Sequence, residues 1–275
     1  MKELIANLPN QIREAIQIGE STEFNATDKT ISSILVCGLG GSGIVGKTVS
    51  LLLKKDLKVP FLCINDYEVP AWVNENTLVI ASSYSGNTEE TLAAVTVCKS
   101  RGSEIAVITS GGTILEMAKE NNWNCFIVPG GEQPRAMLAY SLVQQVYILE
   151  RYGLISNQNT IDLAGVPDFI EVEGAGIRDE ALRLATAFHG KRPIIYAGND
   201  FEGICVRWRQ QINENAKELA WHHVLPEMTH NELVGWAGGS NVHVPLFLSS
   251  NLNHPRTNRR WEICKEVIAK YTDTV

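Results

Sequence analysis

The chain has 275 residues, of which 44% are hydrophobic and 20% are charged, and its formal net charge at neutral pH is −7. This length and hydrophobic content allow one large domain or two modest domains with a substantial core. The acidic balance argues against nucleic acid as the main partner, because phosphate neutralisation requires clustered lysine and arginine. The sequence contains neither a signal-peptide pattern nor an apolar span long enough to cross a membrane, so we expect a cytoplasmic protein with no membrane partner.

The first half of the chain alternates short apolar runs with longer segments of helical periodicity. The apolar runs are bounded by glycine, proline or asparagine, a pattern typical of strands that are buried on both faces. They lie at 33–38, 59–65, 77–82, 104–109 and 124–129. The repeated alternation predicts an α/β fold with a mainly parallel, doubly wound, flavodoxin-like sheet.

An amphipathic helix is predicted over 134–152, with Pro134 in its first turn. The segment that follows, 153–168, is rich in asparagine and glycine, which predicts a loop and a domain boundary near 152–170. We therefore divide the chain into an N-terminal domain, 1–152, and a C-terminal domain, 153–275.

The second half of the chain repeats the strand and helix pattern in a shorter form. Strands are predicted at 192–199, 222–226 and 242–249, and helices at 171–189, 201–220 and 259–271. The pattern stops after a helix, where a further strand and helix would complete the sheet. We expect the second domain to be C-terminally incomplete.

A glycine-rich loop, "CGLGGSGIVG", connects the first predicted strand to the first long helix of the alternating pattern. Gly38, Gly40 and Gly43 match the G-x-G-x-x-G pattern of dinucleotide-binding folds, in which Asp66 would hold a ribose. This interpretation leaves a second polar loop without a role.

The second loop lies in "VIASSYSGNTEETL", between the predicted strand at 77–82 and a helix. Strands of a parallel sheet end at one edge, so this loop and the glycine loop are predicted to line one pocket. The hydroxyls of Ser83, Ser85 and Thr88, with Gly41 and Ser42 of the glycine loop, are candidate phosphate ligands beside free backbone N–H groups. The alternative is that Thr88 simply caps the helix, but capping needs one hydroxyl.

Six cysteines are scattered along the chain without a C-x-x-C pair, which predicts reduced, buried thiols. The spacings of histidine and cysteine match no metal-ligand pattern. We therefore expect neither a metal nor a cofactor.

Four motifs together resemble the sugar isomerase (SIS) domain proteins, and more closely the bifunctional phosphoglucose/phosphomannose isomerases. They are "GLGGSGIVG" at 38–46, "SSYSGNTEET" at 82–91, "GEQPRAMLAYS" at 131–141 and "NENAKELAWHHVLPEMTHNELVGW" at 213–236. The hydroxyl loop is shared by all SIS proteins, whereas 214–230 is more specific to the isomerases. The resemblance implies two SIS-type subdomains. It also implies metal-free interconversion of glucose 6-phosphate, and of mannose 6-phosphate, with fructose 6-phosphate through an enediolate, in glycolysis and gluconeogenesis.

The resemblance also implies roles for individual residues. Glu214 is the base that moves a proton between C1 and C2, His230 opens the sugar ring, and Arg135 stabilises the enediolate. Without the family, Glu214 would be interpreted as surface charge. Arg135 is an unfavourable cation at a helix N-terminus, which independently favours a ligand role. Packing or surface roles are expected for the other histidines, which are His189, His222, His223, His243 and His254.

The family's further catalytic lysine, and a threonine associated with the mannose epimer, belong to a C-terminal region that this sequence lacks. Lys265 and Lys270 do not stand in the corresponding motif. The family also implies a homodimer in which His230 reaches into the neighbouring subunit's pocket.

Two alternatives stay open. They are a dinucleotide-binding enzyme, and a non-catalytic phosphosugar-binding SIS module, which would dispense with Glu214 and His230.

Overall fold

Five strands form the sheet of the first half in the computed structural model, which describes residues 1–272. The strands are β1 (Ser33–Cys37), β2 (Phe61–Ile64), β3 (Thr77–Ser82), β4 (Glu104–Thr109) and β5 (Asn124–Ile127). All neighbours are parallel, and the order across the sheet is β2-β1-β3-β4-β5. This is the order of doubly wound, flavodoxin-like sheets, so the predicted fold class is confirmed.

The strands of this sheet are buried on both faces, which explains why their sequences are unbroken apolar runs. In β1, Ile34 and Val36 belong to one core cluster, while Leu35 and Cys37 belong to another on the opposite face. Successive side chains of a strand point to opposite faces, so each apolar run supplies both cores.

Helices cover both faces of the sheet. Those of the first half and its boundary are α1 (Lys2–Ala6), α2 (Leu8–Ser21), α3 (Gly40–Leu52), α4 (Glu89–Ser100), α5 (Gly112–Glu120), α6 (Leu138–Arg151), α7 (Gln158–Ala164) and α8 (Val166–Phe188). α2, α3 and α6 pack in one layer, and α4 and α5 supply the core of the other. No helix within residues 1–272 combines the length and apolarity needed to span a membrane.

The segment after α6 is not the loop that its composition suggests. It forms α7 and the start of α8, and Ile155, Leu163 and Val166 pack against the core of the first sheet. Arg13 of α2 also makes ion pairs with Asp168 at 2.7 Å and with Glu171 at 2.6 Å. The chain accordingly divides into compact units after Val172, later than the boundary predicted after residue 152.

The second unit contains a three-stranded parallel sheet of β6 (Arg192–Gly198), β7 (Trp221–Leu225) and β8 (His243–Leu248), in the order β7-β6-β8. Its further helices are α9 (Glu202–Gln211), α10 (Met228–Asn231) and α11 (Pro255–Ile268). One face of the sheet packs with α11 around Trp261, and the other packs with α8 and α9 around Cys205.

All six cysteines are free thiols, of which Cys63 and Cys125 are half-buried and the others are buried. Burial raises the pKa of Cys63 to about 12 and that of Cys125 to about 11. Because desolvation disfavours the thiolate, these two groups remain protonated at neutral pH.

Substitution of two helical glycines, Gly43 at the first sheet and Gly176 as a control, tests how closely the first sheet is packed. A Cβ on Gly43 in α3 would lie 2.3 Å from the Gly38 carbonyl oxygen, whereas one on Gly176 in α8 meets nothing within 4 Å. We expect Gly43→Ala to lower the free energy of unfolding by about 1–3 kcal/mol through overpacking. Gly176→Ala should raise it by about 0.5–1 kcal/mol. Urea denaturation would measure the free energy of unfolding of both variants. Equal changes in that free energy would contradict the close packing of Gly43.

Candidate active site

The glycine loop is a close-packed turn between β1 and α3. Gly40 has φ +52°, in the left-handed region that favours glycine. A Cβ on Gly43 would lie 2.2 Å from the Asn65 side-chain nitrogen, which donates a hydrogen bond to the Gly38 carbonyl. Gly41 and Ser42 are half-buried in the first turn of α3, where backbone N–H groups have no partner within the helix.

The hydroxyl loop follows β3 and leads into α4. Thr88 is the N-cap residue of α4, but its side chain makes no capping hydrogen bond. Its hydroxyl lies 2.9 Å from the hydroxyl of Ser83, and Ser85 is exposed beside them. Capping therefore does not explain the hydroxyls. Two of them contact each other at a helix N-terminus, the type of site that binds anions.

The next loop of the sheet fixes the shape of the hydroxyl loop. Gly86 has φ +72°, and a Cβ there would lie only 1.7 Å from the Gly111 carbonyl oxygen. The Asn87 side-chain oxygen accepts hydrogen bonds from the backbone N–H and the hydroxyl of Thr113, both at 2.9 Å. The Ile114 N–H donates to the Gly86 carbonyl at 3.0 Å. The loop is therefore preorganised by the Asn87 side chain and by a close backbone approach at Gly86 that only glycine permits.

Arg135 lies in a 3-10 turn, Pro134–Ala136, rather than in the first turn of a long helix, because α6 begins at Leu138. The turn packs against α3. The Glu132 N–H donates to the Tyr84 hydroxyl of the hydroxyl loop at 3.3 Å. Arg135 is half-buried as a residue, and its guanidinium donates an exposed hydrogen bond to the Gln133 side chain at 2.9 Å.

The first unit brings the three predicted segments together at one edge of its sheet. Gly38 lies beside β3, since a Cβ there would be 2.7 Å from the Ser82 carbonyl oxygen. Two contacts that the sequence did not predict support this arrangement. Asn65, just after β2, donates a hydrogen bond to the Gly38 carbonyl, and the Tyr84 hydroxyl joins the hydroxyl loop to the segment that carries Arg135. Asp66, the candidate ribose ligand of the dinucleotide alternative, instead accepts a hydrogen bond from the Tyr67 N–H at 2.7 Å.

In the second unit, Glu214 lies in an irregular turn and not within a regular helix. α9 ends at Gln211, and the chain continues as a π turn over Ile212–Ala216. Lys217 closes the turn in a left-handed conformation, φ +60°, and its ammonium donates to the Glu214 backbone carbonyl at 2.6 Å. π turns often occur at functional sites.

The Glu214 carboxylate is exposed and interacts electrostatically with Arg207, two helical turns earlier. Burial lowers the pKa of the Arg207 guanidinium, and the charge of Glu214 opposes that shift. This cation beside the candidate base was not predicted.

His230 lies in α10, a helix of four residues that follows β7. Its side chain is exposed. The ring is therefore accessible as a proton donor or acceptor. Within residues 1–272, no three histidine, cysteine, aspartate or glutamate side chains converge in a way that could hold a metal ion.

Family models match both halves of the chain. A model of the SIS domain matches residues 30–150, and one of the bacterial phospho-glucose isomerase C-terminal SIS domain matches residues 177–275. The parallel sheets and the hydroxyl loop thus define a protein of the SIS class.

Curated relatives narrow this class. A bifunctional phosphoglucose/phosphomannose isomerase of Caldicellulosiruptor bescii is 36% identical over 98% of this chain and 82% of its own length. A D-glucosamine-6-phosphate 4-epimerase of Sulfolobus acidocaldarius is 37% identical over 81% of this chain and 70% of its own. The chain belongs to the bifunctional phosphoglucose/phosphomannose isomerase family.

Solved structures share the fold. The C-terminal domain of glucosamine-fructose-6-phosphate aminotransferase from Francisella tularensis superposes with a TM-score of 0.79 at 16% identity. The superposition covers 100% of this chain and 82% of that one.

Proposed function

We propose that the protein is a phosphosugar isomerase that interconverts glucose 6-phosphate and mannose 6-phosphate with fructose 6-phosphate. The observation that carries the proposal is the hydroxyl loop, in which Thr88 contacts Ser83 and does not cap its own helix. Membership of an isomerase family supports the same chemistry.

The sugar phosphate binds at the edge of the first sheet. Its ligands are Gly41, Ser42, Ser83, Ser85 and Thr88. Hydroxyls and backbone N–H groups at a helix N-terminus donate to the phosphate oxygens without a fixed positive charge. The reacting carbons lie at the other end of the sugar, so the phosphate contacts supply binding and orientation.

The chemistry is assigned to three side chains. His230 donates a proton to the ring oxygen and so opens the ring. Glu214 removes the proton from C2 of the aldose and returns it to C1, while the proton of the C2 hydroxyl passes to O1, so no proton is gained or lost overall. The guanidinium of Arg135 stabilises the negative oxygen of the enediolate. None of these steps requires a redox cofactor.

The protein is proposed to act as a cytoplasmic homodimer in carbohydrate metabolism, in glycolysis and gluconeogenesis. In the sequence, the apolar positions Leu138, Leu142, Val146 and Leu149 of α6 suggest a face for a two-fold partner. In the structure, Val146 and Leu149 are buried in the core of the first sheet and Leu138 and Leu142 pack against it, so the dimer is proposed from the family resemblance alone. In this dimer, each active site takes Glu214 from one chain and His230 from the other.

Coupled assays on glucose 6-phosphate, mannose 6-phosphate and fructose 6-phosphate test the proposed reaction. Glucosamine 6-phosphate should be run in parallel, because the S. acidocaldarius relative is named as its 4-epimerase. Conversion of glucosamine 6-phosphate to its 4-epimer, without isomerisation of the hexose phosphates, would show that the protein is an epimerase and would refute the proposed isomerase activity. Binding of phosphosugars without turnover would indicate the non-catalytic alternative.

Ser85→Ala should weaken binding of every phosphosugar alike. Loss of one hydrogen bond to a charged group costs about 1.5–3 kcal/mol, which corresponds to roughly a tenfold to hundredfold weaker affinity. Isothermal titration calorimetry with fructose 6-phosphate measures the affinity of the variant and of the native protein. The control is Ser100→Ala, at the exposed C-terminal end of α4. Equal affinities of the two variants would refute the assignment of Ser85.

Glu214→Gln should bind substrate normally but lose turnover by roughly a hundredfold or more, because an amide cannot take the C2 proton. The exposed Glu218→Gln is the matched control. Incubation of fructose 6-phosphate in deuterium oxide measures proton transfer directly. If the Glu214 variant still introduces deuterium at the native rate, another residue is the base.

Subunit mixing tests the shared site. Glu214→Gln and His230→Ala dimers should each be nearly inactive alone. In a mixed dimer one site has both defects and the other has neither, so equal mixing should restore about a quarter of native activity. If heterodimers form, as native mass spectrometry can show, and activity is not restored, His230 serves its own chain's site.

A further inference from the structure

A hydrogen-bonded network centres on Glu232, which directly follows α10. One carboxylate oxygen accepts from the Tyr196 hydroxyl, and the other lies 2.8 Å from Nδ1 of His223. The Trp236 indole N–H donates to the Tyr196 hydroxyl at 3.0 Å. Because an ionised carboxylate only accepts, Nδ1 of His223 carries the proton in this pair.

The network joins three elements of the second unit. Tyr196 of β6 and His223 of β7 are register partners in the sheet. Trp236 belongs to the 3-10 turn Leu233–Gly238, which follows Glu232. Glu232 therefore fastens the carboxyl end of α10 to two neighbouring strands.

α10 depends on such contacts, because an isolated helix of four residues has no stability of its own. At its start, Met228 is fully buried in the core around Trp261. Just after its end stands Glu232. His230, which is exposed, lies between these two contacts.

The network is built from strong hydrogen bonds. Tyr196 is fully buried, and its pKa is raised well above its usual value by burial and by the neighbouring carboxylate of Glu232. The hydroxyl thus stays protonated and donates a charge-assisted bond, which is stronger than a neutral one. Removal of the carboxylate would leave a buried donor without its acceptor.

We propose that Glu232 is a positioning residue for His230. By accepting from Tyr196 and His223, it sets the position of α10 and hence the direction in which the imidazole is presented for ring opening. The inference rests on the role proposed above for His230. Misplacement of a reacting group by about 1 Å can cost a hundredfold in rate, so an anchor two residues away matters for catalysis.

Glu232→Leu removes both accepted hydrogen bonds while keeping a similar volume. We expect kcat to fall by at least about tenfold, with KM changed by less than about twofold. Glu232→Gln should recover part of the loss, because its amide oxygen accepts one of the two donors. Glu227→Gln is the matched control. Glu227, the residue just before α10, is exposed and accepts a hydrogen bond from the Asn231 side-chain amide at 2.8 Å. A glutamine keeps an acceptor there, so this variant should keep native turnover.

A double-mutant cycle separates positioning from general damage. In a His230→Ala background, Glu232→Leu should change the residual activity by less than about twofold, because the residue through which it acts is absent. An equal loss in both backgrounds would overturn the inference. Tyr196→Phe provides a milder variant in case Glu232→Leu does not fold, and the same non-additivity is expected of it.

Hydrogen–deuterium exchange tests the anchor without any activity. Exchange over residues 228–231 should be faster in Glu232→Leu and Tyr196→Phe than in the native protein, and unchanged in Glu227→Gln. Unchanged exchange in all three variants would contradict the proposed anchor. An inactive native chain with the expected exchange pattern would refute the proposed reaction, but it would leave Glu232 as the anchor of α10.

Discussion

The close approach of backbone segments at the carboxyl edge of the first sheet is the constraint on which its candidate site depends. Gly38 lies against the Ser82 carbonyl, and Gly86 lies against Gly111, at distances that exclude any Cβ. These contacts fix the positions of the backbone N–H groups and hydroxyls of the loops before a ligand binds. Ordering a loop on binding would cost conformational entropy, so a preformed loop retains more of its hydrogen-bond energy as affinity. The glycines therefore serve the site by fixing its shape, and their small size is a requirement of packing.

The two units present their candidate site residues on different kinds of segment. The first presents neutral donors on a rigid edge, which suits an anion that must be held and not transformed. The second presents Glu214 and His230 on irregular segments, a π turn and a helix of four residues. Such segments expose a side chain at an angle that a regular helix does not offer, but they need tertiary anchors. Lys217 closes the turn that carries Glu214, and Glu232 fastens the helix that carries His230.

How much the sequence predicts depends on whether the signal is local. The run at 77–82 coincides with β3 because burial on both faces leaves an unbroken apolar sequence. The segment after residue 152 is helical where its polar composition predicts a loop, because Ile155 and Leu163 pack on the core of the first sheet and the sequence does not show that contact. Helix capping and anion binding favour the same residues at the same position, so the sequence does not separate them. In the structure, Thr88 makes no capping hydrogen bond and contacts Ser83 instead. Asn213 and Asn215 indicate a weak helix, but they do not specify a π turn.

The charge of the chain clarifies why local donors matter for a phosphorylated ligand. A net charge of −7 repels a phosphate dianion at long range. At physiological ionic strength that repulsion is screened beyond roughly 8 Å, so it lowers the encounter rate more than the affinity. Within hydrogen-bond distance, oriented hydroxyls and helix N–H groups outweigh the distant carboxylates, because each is worth about 1.5–3 kcal/mol to a charged acceptor. A protein with a negative net charge can therefore bind a phosphorylated sugar, provided that the hydrogen-bond donors are held in place. The glycine contacts at the edge of the first sheet hold these donors in place.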